Sequence, residues 1–177
     1  DISSITDENR FDVNDSLTFV WDNMSRGPQQ SIPVPDDTRG ALFWRLLPDT
    51  TPVRTFPRIS DVIANINANV QEQLPTHPRV MDFRLTVNDN HKFMYKGSLI
   101  NASGINSADK RVVVAAAGPF EVTSQNTPGI SYPGGSDQLV TWNVNGTDTL
   151  PVNTQEVTIS LSTDGGYTYP VLLTDSA

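Results

Sequence analysis

The sequence predicts a mainly β chain built as two tandem β-sandwich modules, and three observations carry that prediction. Met81, Phe83, Leu85 and Val87 alternate with Asp82, Arg84 and Thr86, the period of a strand with one face in a core and the other in water. Thirteen prolines and 11 glycines are spread as punctuation between short apolar runs. At 177 residues the chain is long enough for two modules of about 80 to 100 residues, a size at which each can bury a core.

Composition narrows the function classes. A net charge of −8 without clustered Lys or Arg argues against nucleic acid or an anionic membrane as partner, since binding phosphates needs concentrated positive charge. No apolar run reaches the roughly 18 to 20 residues of a membrane span, and no signal peptide is visible. The absence of cysteine removes disulfides and thiolate metal sites but leaves the compartment open.

Taken in order, Ile2 to Thr6 reads as a strand running into an acidic loop in which Asp7, Glu8, Asp12 and Asp15 fall within nine residues. Leu17, Phe19 and Trp21 share a face of the next strand, with Trp21 placed to plug a sandwich core. Residues 22 to 40 are loop. Ala41 to Leu47 is a short apolar strand closed by Pro48, and Val53 to Phe56 is a candidate for another before Pro57. One helix of two or three turns is expected within 60–70. Ile59, Val62, Ile63, Ile66 and Val70 recur at helical spacing and Ser60 is placed to cap, while the asparagines between 65 and 69 weaken its far end.

The strand from Arg79 to Val87 follows and ends at Asn88-Asp89-Asn90. Residues 91 to 109 read as a long loop, with Met94, Tyr95, Leu99 and Ile100 as candidates for packing, and Arg111 to Val114 closes the first module at 1–114. The small-residue run 115–119 is the linker. In the second module, 120–177, Phe120 to Ser124, Gln138 to Val144 and Val157 to Ser162 are strands; Thr163-Asp164-Gly165-Gly166 is a hairpin turn and Tyr167 to Leu173 the return. This module is short for a whole sandwich, and Asp1 begins almost inside a strand. The chain therefore reads as a fragment of a larger protein, with an unpaired edge expected near Val171 and Leu172.

Several runs together carry a resemblance: Arg54-Thr55-Phe56-Pro57-Arg58, Phe83 to Asn90, Ala117 to Ser124, Val140 to Val144, Pro151-Val152-Asn153 and Leu161 to Gly166. In order and spacing they resemble the region after the catalytic domain in secreted reprolysin-like zinc metallopeptidases of Bacteroidetes-type bacteria. The resemblance implies two immunoglobulin-like modules, the first PKD-like or cadherin-like and the second fibronectin-like. It also implies a secreted or cell-surface location and a non-catalytic role: spacing, stabilising, or holding substrate for an upstream catalytic domain of the same chain. The segment 91–104 departs from the pattern, being longer and poorer in glycine.

No residue is singled out as catalytic. The two histidines, His77 and His91, are isolated, and neither a His-Glu-x-x-His helix nor a Gly-x-Ser-x-Gly elbow occurs, so no zinc is expected in this segment. Asp7, Glu8, Asp12, Asp15 and Asp89 are the candidate ligands of a structural calcium ion, which needs six to eight oxygens. The spacing matches no EF-hand, and solvated acidic turns are the plainer reading. Ser162 to Tyr169 resembles an Asp-box, a hairpin whose aspartate holds its own turn. A glycan-stacking surface formed by Trp44, Tyr95, Tyr132, Tyr167 or Tyr169 is the alternative to their packing in cores and hairpins. It would make the chain an adhesion module.

Overall fold

A computed structural model describes residues 16–27, 33–36, 38–66 and 71–177. The protein is mainly β and divides into two units, Asp1–Val114 and Ala115–Ala177. The expected strand Ile2–Thr6 and the acidic loop after it lie outside the described residues.

The first unit is organised by an antiparallel sheet of β1 (Thr18–Asn23), β2 (Arg79–Asn88) and β5 (Ile105–Val114), with β2 in the centre. Along β2 the predicted alternation is realised: Met81, Phe83, Leu85 and Val87 are buried, and the residues between them are half-buried or exposed. Register pairs Trp21 with Leu85 on one side and Lys110 with Phe83 on the other. On the polar face, Arg84 donates to both carboxylate oxygens of Asp109 (2.6 and 2.8 Å), and Arg111 donates to those of Asp82 (2.7 and 3.3 Å). These cross-strand arginines hold both carboxyls below the usual aspartate range, the hydrogen bond being the larger cause.

The buried face is covered by chain without strand structure. Leu42 and Phe43, 0% and 3% exposed, pack on Met81 and Phe83, and Phe56 wedges between Phe43 and Phe83 at ring distances of 5.3 and 4.8 Å. The apolar run 41–47 is therefore not the expected strand. It makes one bridge, Phe43 to Glu72, and exposes Trp44, Arg45 and Leu47: its apolar character serves a two-residue plug. No strand forms over Val53–Phe56 either.

Two further expectations are corrected. The helix is a single turn, α1 (Ile59–Ile63), with no buried residue. Ser60 is not its cap, because Arg58 occupies the N-cap position and supplies no side-chain cap. Asn65, at φ 54°, turns the chain left-handed directly after Ala64 and ends the helix, while Val70 lies outside the described residues. The loop 91–109 is instead a hairpin, β3 (Lys92–Tyr95) and β4 (Ser98–Asn101), followed by the first half of β5. Its two-residue turn uses Lys96 at φ 49° and Gly97 at φ 79°, the left-handed pair that matches strand twist. Phe93, Met94, Tyr95, Leu99 and Ile100 are all exposed on it rather than packed.

The second unit has two short ladders. β6 (Glu121–Val122) pairs with β7 (Trp142–Asn143), and β8 (Ile159–Leu161) with β9 (Val171–Thr174). Strands are shorter than expected because side chains and loops take over the pairing. Thr123 and Thr141 hydroxyls bond at 2.8 Å, and Ser124 Oγ accepts from the Thr141 N–H. Thr147 is the one buried residue of this unit, and Val171 and Leu172 are exposed.

Candidate binding site

The first unit leaves part of its core face open. A groove of about 500 Å³ runs over β2 and β5, floored by Met81 and Phe83 and walled on one side by Trp21, Phe43 and Phe56. Leu74 and Pro75 also line it, and Lys110, Val112 and Val114 of β5 form the outer wall. These β5 residues share the face of Met81 and Phe83, since Met81 pairs with Val112 and Phe83 with Lys110. Lys110 is the only charged side chain in a lining that is otherwise apolar.

The wall opposite β5 is made rigid by a buried carboxylate. Glu72, with its side chain wholly shielded, accepts from the Arg54 guanidinium and from the Arg58 backbone N–H (2.8 Å). Arg54 also donates to the carbonyls of Trp21 (3.1 Å) and Trp44 (2.9 Å), and its guanidinium lies 4.4 Å from the Phe56 ring centre. Trp21 Nε1 donates to Pro52 O at 2.9 Å. Thus Arg54-Thr55-Phe56-Pro57-Arg58 straps the loop to the sheet: two arginines meet one carboxylate while Phe56 enters the core. Sequence reading missed this cluster. The available signal was Glu72 as the lone acid between Asp61 and Asp82.

The sheet's two edges differ. β1 is bridged on its outer side by Asp49, with Phe19 and Asp49 exchanging backbone bonds of 2.7 and 3.0 Å. β5 pairs with β2 alone among the described residues, so among them its outer edge is unpaired, and it borders the groove at Lys110, Val112 and Val114.

Of the five candidate calcium ligands, Asp7, Glu8, Asp12 and Asp15 lie outside the described residues. Asp89 pins the base of the β3–β4 hairpin: Oδ1 accepts from the backbone N–H of Gly104 (2.8 Å) and of His91 (3.1 Å), and its own N–H donates to Gly104 O. A Cβ at Gly104 would stand 2.9 Å from Asp89 Oδ2, so a side chain there would push on the carboxylate that pins the hairpin. Among the described residues no group of three or more His, Asp or Glu gathers as a metal site. His77 lies beside Thr76 Oγ1 (2.9 Å) and Asp36 on an exposed turn, and the His91 ring stacks on Phe93.

In the second unit the Asp-box geometry is present. Asp164 accepts from the backbone N–H and hydroxyl of Thr168 (2.9 and 2.6 Å) and from Ser162 Oγ (2.8 Å), while Gly166 N–H donates to Ser162 Oγ (2.7 Å). The Thr168 hydroxyl first, then its N–H and Ser162, hold the Asp164 carboxyl at a pKa of about 2. Tyr167 and Tyr169 are exposed on this turn, Tyr132 is exposed elsewhere in the unit, and Trp44 and Tyr95 are exposed in the first.

Compared with family models, curated proteins and solved structures, the chain matches none.

Proposed function

We propose that this chain is a non-catalytic accessory region of a secreted metallopeptidase, holding protein substrate or surface near an upstream catalytic domain of the same chain. Its units are immunoglobulin-like sandwich modules, the first PKD-like or cadherin-like and the second fibronectin-like. The observation that carries this reading is the open apolar groove of the first unit beside the free β5 edge, a surface suited to another polypeptide. The order of the resembling sequence runs supports the metallopeptidase context.

The test is to express the chain alone and assay it with unfolded casein. Retention of casein without cleavage, with or without added zinc, is the expected result. Peptide-bond hydrolysis abolished by a chelator overturns the proposal.

A second reading, an adhesion or glycan-binding module, is favoured by the exposed Tyr167 and Tyr169 alternating along one turn. A flat response across a glycan array and to whole cells removes it.

A further inference from the structure

We propose that β5 takes a foreign extended peptide as an added strand, its alternate apolar side chains entering the groove mouth and one carboxylate facing Lys110. The proposal rests on the holding role above and gives it a ligand chemistry.

The backbone supplies the first half of the recognition. Strand addition needs an edge whose N–H and C=O groups point outward, and β5, ten residues long and laddered with β2 on one side, turns those of every second residue outward, against nothing else among the described residues. The groove supplies the second. Inward side chains of an added strand stand beside Val112, Lys110 and Val114, the outer wall of the apolar lining. An apolar residue next to Val112 removes exposed surface from water, and the lone cation of the wall selects an acid at the position opposite it.

The same charges disfavour a second copy as occupant. Two β5 strands paired antiparallel about a two-fold axis keep their faces aligned only when residues of equal parity meet. The register centred on Asp109 sets two like charges directly opposite, and the register centred on Lys110 sets the two lysines opposite while its facing Asp109 and Arg111 are already engaged by Arg84 and Asp82 of their own sheets; like charges directly opposite destabilise a pair. A peptide bearing Glu among β-branched residues meets no such conflict.

The experiment uses the whole 177-residue chain and a fluorescent peptide, Thr-Val-Thr-Glu-Thr-Val-Thr-Val-Ser, read by anisotropy, with a second peptide in which Lys replaces Glu. The Glu peptide is expected to bind about five-fold tighter than the Lys peptide, and Lys110→Glu to reverse that preference. Lys110 is exposed, so this variant keeps the fold, checked by its unchanged circular dichroism. Backbone N-methylation of the peptide is expected to abolish binding. Absence of binding up to about 1 mM, binding indifferent to Lys110→Glu, or a chain that sediments as a dimer through β5 each overturns the proposal. None of these outcomes touches the non-catalytic reading, which the casein assay decides separately.

Discussion

Arg54 and Glu72 form an ion pair in which the glutamate side chain has no exposure to solvent and the arginine side chain only 11%. Such a pair is costly to bury and costlier to break, because removing one partner strands the other charge. Glu72 also accepts the Arg58 N–H, so its loss frees the strap at both ends.

Glu72→Ala is therefore expected to destabilise the first unit by about 3 kcal/mol in urea unfolding. The double replacement Arg54→Met with Glu72→Leu, which removes both charges and keeps the volume apolar, is expected to lose less. An equal loss in both would show that the strap acts through shape rather than charge.

Gly27 touches the backbone of Gly40: a Cβ there would stand 2.6 Å from both the nitrogen and the Cα of Gly40. Neither backbone atom can rotate aside, and Gly40 O is held by Arg79. Gly27→Ala is expected to cost about 1 to 3 kcal/mol, whereas Gly129→Ala, with open space around it but a φ of 81°, suffers from conformation alone. Urea midpoints of the two variants separate steric from conformational cost.

Asp164 titrates well below an unfolded aspartate, whose ordinary value is 3.8. Its bonds therefore stabilise the hairpin fully above about pH 4, and that contribution is lost as pH falls toward about 2. Carboxyl NMR is expected to show the low titration, and Thr168→Val to raise it, since the hydroxyl is the largest cause. A titration unchanged in that variant contradicts the assignment.

The β3–β4 hairpin stands with all eight strand residues exposed and no third strand among the described residues. Two-stranded ribbons are marginal in water, so Lys92 and Lys96 are the expected first sites of trypsin cleavage. Asp89→Ala, which releases the His91 and Gly104 amides, is expected to speed that cleavage several-fold, as followed by mass spectrometry. Cleavage beginning elsewhere in the described first unit refutes this.

The strands with strict period were legible in sequence, and the chain that covers them was not. Met81 to Val87 declares itself because the buried residues are separated by the polar Asp82, Arg84 and Thr86. Leu42 and Phe43 sit in an equally apolar run, yet their partners are Glu72 and the Arg54 strap, contacts between residues far apart in the chain that no local pattern encodes. The helix failed for a local reason: its apolar spacing continued past Asn65, where the backbone turned left-handed. The hairpin at 92–101 was hidden because apolar residues fall on both its faces, which removes the alternation that marks a strand. Of the candidate site, the β5 edge was only half visible, since Ser107 and Asp109 read as loop, and Lys110 as neither loop nor strand, until β2 supplied their partner strand.

The crossing of Asp89 and Gly104 also makes the unit a natural display scaffold. The segment between these residues hangs from the Asp89 carboxylate, the Asp89 N–H on Gly104 O and the Asn90 amide on Ser16 O and Thr18 Oγ1, while β2 and β5 keep their register. A foreign epitope or affinity tag spliced between Lys96 and Gly97 would inherit two fixed anchor points and leave the Phe43–Phe56–Phe83 aromatic cluster undisturbed.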